Sequence, residues 1–140
     1  MIRKFEIKDL ERVMDIWINT NIKAHFFVSE EYWIENFHIV KGMLPEAELY
    51  VYEMNGEIEG FVGIDNGYIA GIFVSENMQS KGIGKKLLDK CKAEYSELML
   101  NVYEKNIKAI KFYEREGFSI GKKSMDENTS ERELQMIWSK

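Results

Sequence analysis

The sequence has little cysteine and proline and no long apolar run. Its 140 residues include one cysteine, Cys91, and one proline, Pro45. A single cysteine excludes an intramolecular disulfide and a cysteine-based metal cluster. No apolar stretch approaches the roughly 18–20 residues of a membrane span, and the N-terminus lacks the basic-then-apolar order of a signal peptide. We therefore expect a soluble cytoplasmic domain with no membrane partner.

The chain also has fewer basic than acidic residues. It contains 19 Lys and Arg residues and 24 Asp and Glu residues, so its net charge is −5. An acidic chain repels the phosphate backbone of nucleic acids, so we expect no nucleic-acid partner. The excess of acidic residues weakly favours a cationic partner. The 45% apolar fraction is ordinary for a globular protein. Length and composition together predict one domain over residues 1–140.

Hydrophobic periodicity predicts the element order β-α-α-β-β-β-α-β-α-β-β. Asn55-Gly56 lies between two apolar strands, which is typical of a two-residue hairpin turn. The nearly unbroken apolar run Tyr68–Val74 predicts a central strand covered on both faces. The predicted elements are strands at 2–5, 49–54, 58–64, 68–74, 98–103, 118–125 and 133–138, and helices at 10–22, 30–41, 82–95 and 106–116.

The segment after the central strand combines a polar loop, two glycines and an amphipathic helix. A helix N-terminus presents unpaired amide N–H groups and partial positive charge. Gly82 and Gly84 let a phosphate approach these amides without meeting a Cβ. Lys81, Lys85 and Lys86 add positive side chains nearby. This combination predicts a pyrophosphate site.

Two common phosphate loops do not fit this segment. The Walker pattern needs glycine where Gln79 stands, and it needs Ser or Thr where Lys86 stands. The dinucleotide pattern needs a third glycine at the position of Leu87. The loop therefore indicates neither a nucleoside triphosphate nor NAD.

Two motifs give the chain a resemblance to a known family. The first is Gln79-x-x-Gly82-x-Gly84 after the buried strand, and the second is Asn106-x-x-Ala109-x-x-Phe112-Tyr113-x-x-x-Gly117-Phe118. With them the chain resembles the GCN5-related N-acetyltransferase (GNAT) family, and in particular its small bacterial members. The resemblance implies an α/β GNAT fold: one mixed, mostly antiparallel twisted β-sheet with a splayed central parallel strand pair and helices on both faces.

The resemblance also implies that acetyl-CoA is the co-substrate. In this family the pantetheine arm pairs with the strand before the first motif like an added strand, and the loop amides hold the pyrophosphate. The implied cofactor-binding residues are Ile72, Phe73, Val74, Gln79, Ser80, Lys81, Gly82, Ile83, Gly84, Lys85, Asn106 and Tyr113.

The resemblance implies direct acetyl transfer to a primary amine, with Tyr113 as the catalytic general acid. A phenol with an ordinary pKa of about 10 can donate its proton to a thiolate. The base is open, because Asn101 stands where related enzymes often carry a glutamate, and an amide cannot take a proton. Deprotonation would pass through water to Glu104, Tyr103 or His25, or would occur before binding.

Acceptor specificity in the family comes from the first two helices and the last hairpin. The candidate acceptor residues are His25, Phe26, Phe27, Asn101 and Tyr103. His25 has no companion ligands at metal spacing, so we expect no metal. A lysine or N-terminus of a protein or peptide is favoured over a small amine.

Three alternatives stay open on the sequence alone. Because the usual base carboxylate is absent, the chain could be a non-catalytic acetyl-CoA-binding sensor or structural module, although Tyr113 and Asn106 argue against this. The protein could be a monomer or a homodimer. The donor could carry an acyl group other than acetyl.

The role of Tyr113 leads to the first prediction. We expect Tyr113→Phe to lower kcat strongly with little change in acetyl-CoA affinity, because only the proton donor is removed. Steady-state kinetics and cofactor titration measure the two effects separately. Near-normal kcat in the variant would remove Tyr113 from the mechanism.

Overall fold

The computed structural model describes residues 1–140, which form seven strands and four helices. Every predicted element is present in the predicted order, with boundaries within about two residues. No helix is long and apolar enough to cross a membrane. The elements are β1 (Ile2–Lys4), α1 (Leu10–Ala24), α2 (Glu30–Met43), β2 (Glu48–Met54), β3 (Glu57–Asp65), β4 (Tyr68–Val74), α3 (Ile83–Glu94), β5 (Glu97–Tyr103), α4 (Ile107–Arg115), β6 (Ser119–Asp126) and β7 (Glu131–Ser139).

The strands form one sheet in the order β1-β2-β3-β4-β5-β7-β6. Only β4 and β5 run parallel, and every other neighbouring pair is antiparallel. The Asn55-Gly56 hairpin turn is present, with positive φ at both residues. The predicted fold class, a mostly antiparallel sheet with a central parallel pair, is confirmed.

Alternating side chains of the sheet fill two separate cores. On β2, Leu49 and Val51 pack towards α1 and α2, whereas Tyr50 and Tyr52 pack towards α3 and α4. This is the two-residue period of a strand buried on both faces. The sheet is therefore sandwiched between two helical layers, as the resemblance implied.

The prediction that β4 is covered on both faces is confirmed, because α1 packs on one face and α3 on the other, but the cover is incomplete. Among its residues Ile69 is buried, Ala70 is exposed, and the rest are partly exposed. Ile64 pairs with Ile69 and Gly63 with Gly71, so Ala70 is an extra residue that forms a β-bulge. A bulge bends and twists its strand. The bend turns the second half of β4 away from β5, so this half borders open space.

The sheet is packed tightly where β3 meets the second half of β4. A Cβ added at Gly60 would lie 2.9 Å from the main-chain oxygen of Phe73, whereas one at Gly42, on α2, would meet nothing within 4 Å. We expect Gly60→Ala to lower the free energy of unfolding by about 1–3 kcal/mol. The matched Gly42→Ala should raise it by up to about 1 kcal/mol. Chemical denaturation measures both, and equal effects would contradict the close approach at Gly60.

Candidate active site

The two central strands separate almost as soon as they meet. β4 and β5 pair only at Tyr68 and Met99, whereas β5 pairs with β7 along its whole length. The edge of β4 from Ile72 to Val74 that faces β5 therefore has no strand partner. Beside it lies an open cavity of about 680 Å³, lined by Ile72, Phe73 and Val74. An unpaired strand edge can take up an extended, amide-containing ligand.

The loop after β4 presents a row of free amides to the same cavity. Ser80 and Gly82 have positive φ angles of 64° and 86°, and Gly82 is the N-cap of α3. The main-chain N–H groups from Ser80 to Lys85 donate no hydrogen bond within the chain, and Lys86 is the first to reach back, to the Gly82 oxygen at 3.1 Å. Such a concave row of amides at a helix N-terminus suits a diphosphate.

Gln79 connects this loop to its surroundings. Its Nε2 donates to the main-chain oxygen of Val74 at 2.9 Å, and its Oε1 accepts from Lys108 Nζ at 3.3 Å. Gln79 thus ties the end of β4 to α4 across the loop, and it lines the cavity. Its structural role is to hold the loop in shape.

The expected lysines do not supply the free positive charge of the cavity. Lys85 lines the cavity, but its Nζ lies 3.2 Å from carboxylate oxygens of both Asp89 and Glu116, and these contacts raise the pKa of Lys85. The ammonium of Lys86 lies over the Tyr52 ring, 5.6 Å from its centroid. Both lysines therefore interact with other parts of the protein.

Two further predicted cofactor residues lie outside the cavity lining. Lys81 is exposed to solvent, and the side chain of Ile83 is buried in the core beneath the loop. Their main-chain N–H groups nevertheless belong to the row that donates no hydrogen bond within the chain. The predicted residues that line the cavity are Ile72, Phe73, Val74, Gln79, Ser80, Gly82, Gly84, Lys85, Asn106 and Tyr113.

The cavity has other cations, which the sequence reasoning missed. Lys108, Lys111 and Arg115 line it from α4. Their steps of three and four place them on one side of a helix. That spacing, together with Phe112 on the same face, was the signal that could have found them.

Tyr113 lies at the buried end of the cavity. It is 8% exposed, and its ring packs against Phe112 and Phe118 with centroids 5.1 and 5.5 Å away. Its hydroxyl makes no hydrogen bond within the chain, and burial raises the pKa of the phenol above its ordinary value. Tyr113 is therefore protonated at neutral pH and free to donate to a ligand in the cavity.

His25 and Asn106 meet across the opening between β4 and β5. Asn106 caps α4, because its Oδ1 accepts from the N–H of Ala109 at 3.2 Å. Its Nδ2 therefore donates to His25 Nε2, 3.2 Å away, so the imidazole proton lies on Nδ1, which is buried without a partner. Burial lowers the pKa of His25 to about 4, and the ring is neutral at pH 7.

The predicted acceptor residues are only partly brought together. His25 lines the cavity, and the rings of Phe27 and Tyr103 pack edge-on against it at 5.7 and 5.1 Å. Phe26 is 82% exposed. Asn101 lies on the exposed face of β5, where it donates to the Tyr68 hydroxyl at 3.3 Å. The structure thus groups His25, Phe27 and Tyr103, with the Phe26 ring packed edge-on against Phe27 at 5.3 Å at the exposed side, and it leaves Asn101 away from them.

The split parallel pair, the free amide row and the buried tyrosine agree with the acetyltransferase family that the two motifs suggested. The family model for the acetyltransferase (GNAT) domain matches residues 20–136, and the chain belongs to this family. This confirms the family and the enzyme class predicted from the two motifs. Members of the family use acetyl-CoA.

Two relatives and one solved structure illustrate the similarity. Peptidyl-lysine N-acetyltransferase YiaC of Escherichia coli K12 is 34% identical over 122 residues, 86% of this chain and 84% of that protein. Peptidyl-lysine N-acetyltransferase YjaB of the same strain is 29% identical over 128 residues, 90% and 87% of the two chains. The solution structure of apo-form YjaB from Escherichia coli superposes with a TM-score of 0.88 at 27% identity, over 99% of this chain and 96% of that one.

The partly buried, neutral imidazole of His25 leads to a prediction about stability in acid. Its pKa is lower in the folded chain than the ordinary 6.5, so the unfolded chain binds more protons between about pH 6.5 and 4, and stability falls as pH falls through this window. Relative to pH 7, wild type should lose about 1–2 kcal/mol more than His25→Gln at pH 5. Urea unfolding at both pH values measures the difference. Parallel losses in the two proteins would contradict a buried neutral imidazole.

Proposed function

We propose that this GNAT acetyltransferase transfers the acetyl group of acetyl-CoA to the side-chain amine of a lysine in a protein or peptide. The observation that carries the proposal is the convergence on one cavity of the free edge of β4, the unpartnered amides from Ser80 to Lys85, and Tyr113. The lysine acceptor is supported by the two relatives that are named peptidyl-lysine N-acetyltransferases.

The residues of the cavity fit the chemical parts of acetyl-CoA. An extended pantetheine arm carries amides that match the free main-chain groups of Ile72–Val74. The amides from Ser80 to Lys85 match a pyrophosphate. A relative from Bacillus anthracis, 25% identical with a TM-score of 0.61 over 67% of this chain and 62% of that one, was solved in complex with acetyl coenzyme A. Bound acetyl-CoA would supply an activated acetyl thioester.

Tyr113 acts as the general acid in this proposal. Its raised pKa keeps the phenol protonated at neutral pH, and its hydroxyl has no competing partner in the chain. It gives its proton to the departing thiolate, which would otherwise be an anion in an apolar surrounding made by Phe112 and Phe118.

The candidate bases differ in their hydrogen bonds and in the direction of their pKa shifts. The Tyr103 hydroxyl donates to Asp126 Oδ2 at 2.7 Å, and burial raises the pKa of this phenol, so it does not accept a proton at neutral pH. His25 Nε2 accepts from Asn106, and the pKa of about 4 makes this imidazole a weak base. Glu104 does not line the cavity. We infer that the lysine amine loses one proton to solvent before it attacks and a second one from the tetrahedral intermediate. Solvent then returns to Tyr113 the proton that it gave to the thiolate.

Transfer is direct in this proposal, because Cys91 cannot carry the acetyl group. Cys91 is 1% exposed in the core beneath α3. Burial raises the pKa of its thiol to about 11, so the reactive thiolate is scarce at neutral pH. The acetyl group therefore passes from acetyl-CoA to the amine without an intermediate on the protein.

The acceptor reaches the cavity from the side of His25. This residue lines the cavity and also stacks on Trp33, with ring centroids 5.3 Å apart. Phe27 and Tyr103 pack against the other sides of the imidazole. The aliphatic part of a lysine side chain suits such aromatic walls, and the acidic surplus of the protein favours a cationic peptide.

A matched peptide panel tests the acceptor. One peptide carries a blocked N-terminus and a single lysine, a second replaces this lysine by arginine, and a third has the arginine with a free N-terminus. We expect mass spectrometry to show one added acetyl group on the first peptide alone. Acetylation confined to the free N-terminus, or to a polyamine added in parallel, would overturn the lysine assignment.

A further inference from the structure

One wall of the cavity is formed by the C-terminal end of α1. The residues that line it there are Thr20, Asn21, Ala24 and His25, and their spacing places them on one side of a helix. None of these side chains is charged at neutral pH, because burial keeps the imidazole of His25 neutral. This wall therefore differs from that of α4, which contributes lysine and arginine side chains.

Asn21 is a buried polar residue in the α1 wall. It is 5% exposed, and its Nδ2 donates to the main-chain oxygen of Trp17 at 2.9 Å. This hydrogen bond fixes the orientation of the side-chain amide, and no group of the chain donates to Oδ1. The polar side-chain atoms that are sealed inside the protein without a partner are His25 Nδ1 and Trp33 Nε1. Asn21 Oδ1 is not one of them, so it faces open space, which at this residue is the cavity.

The neighbouring Thr20 presents the same kind of group. Its hydroxyl donates to the main-chain oxygen of Ile16 at 2.6 Å, so its one proton is engaged and only oxygen lone pairs remain. An amide oxygen that is withdrawn from bulk water and finds no donor destabilises the protein until a ligand supplies one. The α1 wall therefore suits a ligand group that carries N–H.

The charges of the cavity favour a neutral amine as that group. Glu116 is the only carboxylate that lines the cavity, and it contacts both Lys85 and Lys92. No free negative charge is therefore available to hold an ammonium ion, and the cations of α4 disfavour one further. A neutral amine needs an uncharged acceptor oxygen, such as Oδ1 of Asn21.

We propose that Asn21 Oδ1 accepts a hydrogen bond from the attacking amine of the acceptor and orients this amine towards the thioester. Asn21 lies one helical turn before His25, on the side from which the acceptor enters in the proposed function. One N–H held by Oδ1 fixes the nitrogen and leaves its lone pair free to attack. The inference rests on the proposed function, because it names a residue that binds the acceptor of the same reaction.

Two variants of Asn21 test the inference. Asn21→Ala removes the side chain, and Asn21→Leu keeps its branched shape without the polar atoms. Both should lower kcat/KM for the lysine peptide about tenfold, the effect of one lost hydrogen bond. Calorimetric titration should give an affinity for acetyl-CoA within about twofold of wild type. The slow hydrolysis of acetyl-CoA without peptide should also be unchanged, because it does not involve the amine.

The matched control is Asn36→Ala on α2. Asn36 Nδ2 donates to the main-chain oxygen of Tyr32, four residues earlier, at 2.7 Å. This is the same kind of bond that Asn21 makes, but Asn36 does not line the cavity, so the control should keep the activity of wild type. Normal kcat/KM in either Asn21 variant, an equal loss in the control, or a tenfold loss of acetyl-CoA affinity in both Asn21 variants would each overturn the inference.

The choice of amine separates this inference from the proposed function. Equal acetylation of the lysine peptide by wild type and both Asn21 variants would refute the role of Asn21 and leave the proposed function standing. If wild type acetylates spermidine or a free N-terminus in place of the lysine, the lysine assignment fails, and the kinetics of both variants with that amine decide the role of Asn21. Acetylation of no amine would refute both.

Discussion

The structure depends on one constraint, which is that every strand must leave its main-chain groups paired or exposed to something polar. β4 meets this requirement on one edge through β3, but on the other it pairs with β5 only at Tyr68 and Met99. The extra residue Ala70 bends the strand at this point, so the unpaired edge faces a cavity and not the apolar core. The missing pairs leave the strand edge to which the proposed function assigns the pantetheine arm. The helical layers on both faces stabilise the rest of the sheet around this gap.

Positive groups are concentrated around the same opening between β4 and β5. The chain has an overall charge of −5, yet the wall that α4 contributes to the cavity carries Lys108, Lys111 and Arg115. The opposite wall presents amide N–H groups at the start of α3. The positive potential of the site therefore comes from one helix through its side chains and from another through its backbone. The net negative charge of the chain does not reveal this local positive potential, because most carboxylates lie outside the cavity.

The sequence predicted the fold well because its signals are local. Asn55-Gly56 marks a hairpin, Gly82 marks the start of α3, and the run of β-branched and aromatic residues on β2 marks a strand. The failures concern long-range contacts. The pairing of Lys85 with Glu116 joins residues 31 positions apart, and the bulge at Ala70 depends on the register between β3 and β4. Neither feature produces a recognisable pattern in the sequence of the segment where it occurs.

The contact between His25 and Asn106 joins residues that are 81 positions apart in the chain. His25 follows the end of α1, on the acceptor side in the proposed function, and Asn106 caps α4, on the proposed donor side. A shift of the loop that carries His25 would change the hydrogen bonding of Asn106, and a change at Asn106 would change the position of the loop. Under the proposed function the affinities for the two substrates would then be linked, and each substrate would change the affinity for the other by the same factor. A single side-chain hydrogen bond can in this way influence the order in which donor and acceptor bind.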